Sequence, residues 1–257
     1  MNANQIVILV NTFHPGNIGS AARAMKTMGI TQLRLVQPRC FPDPEATQMA
    51  AGAVDILEQA QCYDSLREAV ADCGLVIGAS ARLRSFPLPE VEPPQAGELM
   101  AQESQQTPVA LVFGRERSGL TNEEITCCTH QVNIPGNPDY NILNVAQAVQ
   151  VLCYETHMAS RRQSIPAPQE TPYPLQSQLQ HFESHLEQAL TVSGFLNKRS
   201  GQALDKLHAL FRRARPNRKE LSLLRGVLTR LEQLAEADSK TARHAEDTET
   251  PDKTRQP

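Results

Sequence analysis

The sequence predicts an α/β fold, a parallel sheet layered with helices, followed by a small C-terminal α-helical domain. Three patterns carry that prediction. Short apolar runs alternate with helix-like stretches over residues 1–160, prolines crowd residues 161–174, and amphipathic helical spacing returns beyond them. With 257 residues and 40% hydrophobic side chains, the chain has enough apolar surface for a real core.

Residues 6–10, 75–79 and 109–113, and 33–36 apart from Arg34, are apolar runs without regular polar alternation, so they read as strands buried in a parallel sheet. Helix-like stretches lie between them at 20–28, closed by Gly29, at 45–51, at 65–71, closed near Gly74, and at 95–102. A shorter run, 132–134, leads through the loop 135–141 into a long helix over 143–160, with Val145, Val149, Leu152 and Met158 on or near one side. That helix ends the first domain. Residues 161–174 contain Ile165-Pro-Ala-Pro168 and Thr171-Pro-Tyr-Pro174, a density of proline that denies helix and favours an extended linker. Three sets then recur at helical spacing and predict a small bundle over 175–235: Leu179, Phe182, Leu186, Ala189 and Leu190; Leu204, Leu207, Leu210 and Phe211; and Leu221, Leu224, Val227, Leu228 and Leu231. Residues 236–257 are polar with no apolar period and read as a disordered tail.

The net charge of −3 conceals a division. Residues 1–160 carry 9 basic and 16 acidic side chains, residues 161–235 carry 12 and 6, and the last 22 carry 4 and 6. A basic block behind an acidic one points to an anionic partner for the basic part, with nucleic acid first among the classes. No stretch reaches the ~18 apolar residues of a membrane helix and the N-terminus lacks the layout of a signal peptide, so a soluble, cytoplasmic protein with no membrane partner is expected. The six cysteines, Cys40, Cys62, Cys73, Cys127, Cys128 and Cys153, contain no C-x-x-C pair and have no histidine at zinc-site spacing. Buried reduced thiols and no metal are expected.

In an open α/β sheet, ligands lie beyond the carboxyl ends of the strands, where loops rest on a rigid scaffold and helix N-termini offer unpaired N–H groups. Four loops qualify: 11–19, 79–84, 114–122 and 135–141. The first feeds a helix carrying Arg23. Neither G-x-x-x-x-G-K-[ST] nor G-x-G-x-x-G is present, which disfavours a P-loop kinase and an ordinary dinucleotide-binding dehydrogenase. Thr121 followed by Glu124 fits a capping box, His14 reads as a turn residue, and Met25 and Met28 read as core filler.

The segments Asn17-Ile-Gly-Ser-Ala-Ala-Arg23, Val112-Phe-Gly-Arg-Glu-Arg-Ser-Gly-Leu120 and Ile134-Pro-Gly-Asn-Pro-Asp-Tyr-Asn-Ile-Leu-Asn144, in this order, resemble the three motifs of the SPOUT methyltransferases of the TrmH-like branch. Over residues 1–160 the similarity is to the tRNA (cytidine/uridine-2′-O)-methyltransferases of that family. Thr171-Pro-Tyr-Pro-Leu175, Arg212-Arg-Ala-Arg-Pro216 and Leu224-Arg-Gly-Val-Leu228 resemble their C-terminal helical extension. The resemblance implies a deep trefoil knot in the sheet domain, S-adenosylmethionine bound there, and a homodimer sharing the active site. It further implies methylation of cytidine or uridine at nucleotide 32 of the tRNA anticodon loop, with no DNA partner. It places the cofactor against Ala79, Ser80 and Ala81, Gly114, Ile134, and Asn141, Ile142 and Leu143, where small side chains and backbone admit an adenosine and Ile134 and Leu143 supply apolar walls. The family usually has serine where this chain has Ile142, so a hydroxyl hydrogen bond is lost unless Asn141 replaces it. A ribosomal RNA 2′-O-methyltransferase of the same fold and a non-catalytic RNA-binding protein are the alternatives.

The resemblance also assigns roles. Arg23 would stand beside the reacting hydroxyl. Arginine stays protonated, with a pKa above ~12, so gripping a phosphate and stabilising oxyanion charge suits it better than acting as a base, the proton leaving to a phosphate oxygen or water. An ion pair with an acidic side chain on its helix or on a dimer partner is the other reading. Asn17 orders the first loop or touches the ribose, or merely serves a turn. Glu116 holds Arg23 or the dimer in register, or forms a surface ion pair. Asn144 offers its amide to the ribose or the loop backbone, or caps the last helix. Arg82 and Arg84, on a strand-end loop, and the cluster of Arg212, Arg213, Arg215, Arg218 and Lys219 are expected to meet tRNA phosphates, giving a salt-sensitive grip. Solvated charge is the alternative for both groups.

Overall fold

The computed structural model describes residues 4–80, 88–162, 173–196 and 201–248. Seven strands, β1 (Gln5–Val10), β2 (Gln32–Val36), β3 (Gln61–Tyr63), β4 (Leu75–Ala79), β5 (Glu90–Val91), β6 (Val109–Phe113) and β7 (His130–Val132), form one sheet. Its order is β3-β2-β1-β6-β4-β7-β5, and every pairing is parallel. The connecting helices are α1 (Pro15–Thr27), α2 (Pro44–Ala50), α3 (Val54–Glu58), α4 (Leu66–Ala69), α5 (Pro93–Glu103), α6 (Asn122–Ile125) and α7 (Val145–Arg162).

Both faces of the sheet are covered, which is why its central strands show no polar alternation. Val7 and Leu9 of β1 pack with Ile18 and Met25 of α1 and with Val149 and Leu152 of α7. Ile6, Ile8 and Val10 point the other way, into a core with Leu66, Val70, Ile125 and Cys128. The four expected strands are present, whereas β3 and β5, three and two residues long, are too short to leave an apolar run. The fifth run is displaced: the strand is His130–Val132, and Ile134 lies past its end. Helix α1 begins earlier than expected, because Pro15 sits in the first turn, where its fixed φ suits the helix and its missing N–H is not needed.

The C-terminal domain contains α8 (Gln176–Val192), α9 (Gly201–Ala214) and α10 (Arg218–Thr248). Leu179, Phe182, Leu186, Ala189, Leu221 and Leu228 form its core, and Phe182 meets Phe211 edge to face with centroids 4.8 Å apart. Of the expected disordered tail, residues 236–248 continue α10 to Thr248 and are corrected to helix, while 249–257 lie outside the described residues. Lack of an apolar stripe does not forbid helix where Ala, Glu, Lys and Arg are frequent and neither Gly nor Pro intervenes. Of the expected linker, Arg161 and Arg162 complete α7 and residues 173–175 are extended, while 163–172 lie outside the described residues. The first turn of α8 docks on the sheet domain. The N–H groups of Gln176 and Ser177 donate to the carbonyls of Cys73 and Ala71 at 2.7 and 2.9 Å, and Gln176 Nε2 donates to the Cys127 carbonyl. Helix-end donors that would otherwise lack partners are thereby satisfied.

Candidate active site

Strands β1, β6, β4 and β7 are neighbours in the sheet, so the four loops leaving their carboxyl ends meet at one margin. Residues following β4, β6 and β7 line a cleft of about 390 Å³. Ala79 and Ser80 line it from β4, Gly114 from β6, and Ile134 from beyond β7. Asn141, Ile142 and Leu143 close it from the loop ahead of α7. Of the expected cofactor contacts, Ala81 lies outside the described residues. The cleft is also lined by Arg115, Glu116, Arg117 and Ser118, which belong to the second motif but were not singled out individually, apart from Glu116.

The turn after β6 is folded back on itself. Arg115 and Gly119 exchange backbone hydrogen bonds at 3.2 and 2.9 Å, and Gly119 takes a φ of +67°. A Cβ on Gly114 would stand 2.2 Å from the Gly119 carbonyl carbon and 2.3 Å from the Leu120 nitrogen, so only glycine permits this closure. Behind the turn, Thr121 and Glu124 form the expected capping box. Glu124 also takes a two-pronged bond from Arg115 at 2.9 and 3.0 Å. This holds the arginine at the cleft wall. Burial works to raise the Glu124 pKa, but Arg115 and the Thr121 contacts outweigh it and hold the carboxyl below its ordinary value.

Glu116, Asn17 and Asn144 form one network. Glu116 accepts from the backbone N–H groups of Phe13 and His14 at 3.0–3.1 Å and from Asn17 Nδ2 at 3.0 Å. Asn17 Oδ1 accepts from Asn144 Nδ2 at 2.9 Å. Asn144 in turn accepts from Ala146 N–H at 2.8 Å, while its own N–H donates to Gln147. Asn144 is therefore both the cap of α7 and a tie to the first loop, and Asn17 uses both ends of its amide to order that loop. The expectation that Glu116 holds Arg23 is corrected, because its oxygens are taken up at the N-terminus of α1, where N–H groups and the helix dipole favour a carboxylate. Burial pulls the Glu116 pKa upward, yet the Asn17 amide and these N–H groups keep it below the ordinary carboxyl value.

Arg23 is exposed on α1 and does not line the cleft of its own chain. Among the described residues no side chain hydrogen-bonds or pairs with it, so the ion-pair reading on its own helix has no support. Phe13, half-exposed at the mouth of the first loop, is covered by the Arg39 guanidinium at 4.5 Å and meets His14 at 4.8 Å. Neither Phe13 nor Arg39 was anticipated; an exposed aromatic among turn formers was the available signal.

Residues 4–154 match the model of the SpoU rRNA Methylase family, and residues 177–242 match that of the C-terminal domain of the tRNA methyltransferase TrmJ. The chain belongs to the SpoU methylase family. The tRNA (cytidine/uridine-2′-O-)-methyltransferase TrmJ of Yersinia pestis (strain Pestoides F) is 51% identical over 232 residues, covering 88% of this chain and 90% of its own. The TrmJ of Klebsiella pneumoniae is 50% identical over 239 residues, covering 91% and 98%. The crystal structure of TrmJ from Z. mobilis ZM4 superposes with a TM-score of 0.77 at 34% identity, covering 89% of this chain and 99% of that one.

In this SpoU methylase the C-terminal arginine cluster is divided by burial. Arg212 is buried and donates to both Glu183 oxygens at 2.7 and 2.8 Å and to the Thr126 carbonyl of the sheet domain. Arg215 lies 3.7 Å from Glu103 and 4.0 Å over the Tyr173 ring. The expectation that Arg212 and Arg215 reach for RNA is corrected; they brace one domain against the other. Arg213, Arg218 and Lys219 are exposed, whereas Arg82 and Arg84 lie outside the described residues. No helix among the described residues is long and apolar enough to cross a membrane, and none of their His, Cys, Asp and Glu side chains gather into a group able to hold a metal ion.

Proposed function

We propose that this SpoU methylase transfers a methyl group from S-adenosylmethionine to the ribose 2′-hydroxyl of cytidine or uridine at nucleotide 32 of tRNA. The observation that carries the reading is the joint match of the catalytic family model and the TrmJ C-terminal domain model across a chain whose second and third motifs line one cleft, with Asn17 of the first hydrogen-bonded to Glu116 and Asn144 of the other two. The cleft suits the cofactor: its volume is that of a small-ligand site, its floor offers backbone and small side chains at Ala79, Ser80 and Gly114, and Ile134 and Leu143 supply apolar walls. Ile142 is 71% exposed, so replacing the usual serine leaves no polar group buried without a partner there.

When bound, S-adenosylmethionine supplies a sulfonium methyl open to attack by an oxygen. The protein supplies position and charge. The Glu116–Asn17–Asn144 network fixes the first loop and the start of α7, and with them the frame on which Arg23 is carried. Arg23 grips a phosphate of the substrate and stabilises negative charge growing on the 2′-oxygen, and the proton of the 2′-hydroxyl passes to a phosphate oxygen or water. Since Arg23 is absent from the cleft of its own chain, we read the site as completed across a homodimer. Tyr140, Ile142 and Leu143, large and exposed at the cleft margin, fit such a covered surface. The sheet domain carries the deep trefoil knot of its family, with α7 packed back on both α1 and α5.

Methyl incorporation from labelled S-adenosylmethionine into total tRNA against ribosomal RNA tests the substrate, and mass spectrometry of the product locates the nucleotide. Label confined to ribosomal RNA, or none at all, refutes the reading. Mixing Arg23→Ala with Gly114→Val, each inactive alone, restores partial activity if the site is shared.

A further inference from the structure

Phenylalanine usually goes inside, yet Phe13 is 49% exposed. It stands between the end of β1 and the start of α1, and the backbone is held on both sides of it. Its own N–H donates to both Glu116 oxygens at 3.0 and 3.1 Å, and the N–H of His14 donates to Oε1 at 3.1 Å. The preceding carbonyl, of buried Thr12, accepts from the Arg39 N–H at 3.2 Å, and Asn11, at a φ of +53°, donates its N–H to the Val36 carbonyl at 2.7 Å. The ring is thus carried on a backbone fixed to Glu116, a residue of the cleft wall. That order is established on folding, so a ligand meeting the ring does not bear the cost of ordering the loop.

The groups stacked on this ring show what it suits. The Arg39 guanidinium lies over it, 4.5 Å from the centroid, and the His14 imidazole meets it 4.8 Å away at an interplanar angle of 69°. Arg39 is exposed, and among the described residues no hydrogen bond or ion pair engages its guanidinium. An apolar protein segment would want apolar neighbours, whereas an aromatic face beside a free cation matches a ligand with a π-face and a negative charge, as each nucleotide of a single strand has. Recognition of RNA favours unpaired bases, which stack on aromatic side chains. A tRNA anticodon loop presents such bases on either side of the reacting ribose. We propose that Phe13 is the platform for an unpaired nucleobase next to the methylated ribose, with Arg39 at the adjoining phosphate. The stack sets how far the strand enters the cleft, because the ring and the cleft wall share Glu116. The inference rests on the tRNA-methyltransferase reading and adds to it a contact with a base, made by the sheet domain.

The test uses the full-length protein and unmodified tRNA, intact or assembled with a single abasic nucleotide at each position flanking the reacting ribose in turn. Phe13→Leu keeps an apolar side chain but removes the π-face, and should raise the KM and the dissociation constant for tRNA by on the order of tenfold. Its affinity for S-adenosylmethionine and its melting temperature should match wild type, and Phe13→Tyr should restore tRNA binding. One abasic tRNA should bind the wild-type protein on the order of tenfold more weakly than intact tRNA, whereas Phe13→Leu should bind the two alike. The chain has no tryptophan, so Phe13→Trp introduces a single indole, whose fluorescence should be quenched by intact tRNA and recover with that abasic tRNA. Wild-type affinity in Phe13→Leu overturns the proposal. So do losses from Phe13→Leu and from the abasic site that multiply at every position, which make the ring a support for its loop and not a contact of the base. A smaller species in sedimentation of Phe13→Leu also overturns it, by assigning the ring to an interface between copies of the chain. Failure of the wild-type protein to methylate tRNA sinks the underlying functional reading instead, so the two failures are distinguishable.

Discussion

Arg212→Ala separates an architectural arginine from an RNA-binding one. The guanidinium is 6% exposed, makes two bonds of 2.7 and 2.8 Å to a carboxylate that is 6% exposed at Glu183, and reaches the Thr126 carbonyl. Truncation leaves that carboxylate buried without its partner. Breaking one side of such a pair costs about 3–5 kcal/mol. For a protein of this size ~1 kcal/mol moves the melting temperature by roughly 2–4 °C, so a fall of roughly 6–20 °C is expected by circular dichroism without RNA. The double variant Arg212→Met/Glu183→Leu should recover most of the loss, because replacing both charges with apolar groups is often neutral or stabilising. An unchanged melting temperature in Arg212→Ala, accompanied by weaker tRNA binding, would refute the assignment of Arg212 to the domain interface.

Three further outcomes are expected. Gly114→Ala forces backbone atoms apart by packing a methyl against Gly119 and Leu120, and should cost ~1–3 kcal/mol and abolish S-adenosylmethionine binding in calorimetry; retained binding would show that the closed turn is dispensable. Glu116→Gln replaces an acceptor-only group facing three N–H donors and should cost about 1 kcal/mol at this half-exposed site, raising the cofactor dissociation constant; the depressed carboxyl means the same contribution in wild type is present above pH ~4.3 and lost as pH falls through its lower folded value. His130, pushed down to about 4 by burial and by Arg215, stays neutral while the unfolded chain takes up a proton below pH ~6.5. Stability should therefore fall as pH drops from about 6.5 to about 4, by on the order of 3 kcal/mol, and His130→Asn should flatten that slope in urea titrations.

What the sequence made legible follows from how far each signal reaches. The central strands and α1 and α7 are long, apolar and periodic, and burial on both faces leaves the same mark wherever it occurs. β5 is two residues paired to β7, and no local pattern announces a contact made across the chain. The motif loops were placed correctly at one margin because strand ends set their position, and the side chains within them then carried both plain and functional duties: Asn144 caps a helix and also holds Asn17. Arginines were the hardest to read. Arg212 and Arg213 are adjacent and chemically identical, yet one is sealed against Glu183 and the other faces solvent, a difference set by a carboxylate 29 residues away.

The same interface ties the helical domain to the cleft through a short physical chain. Arg115, at the cleft wall, is held by Glu124, which sits on the single turn of α6. Thr126, closing that turn, offers its carbonyl to Arg212, and the next carbonyl, that of Cys127, accepts from Gln176 at the start of α8. The helical domain is thus attached to the very segment that follows the second motif, not to a remote face of the sheet. The Arg115–Glu124 link is two-pronged and the Gln176–Cys127 link is buried, so motion of the helical domain relative to the sheet would have to break the charge-assisted Arg212 bond at the end of α6 before it reached Arg115. A tether of this kind sets the helical domain at a fixed distance from the cleft wall.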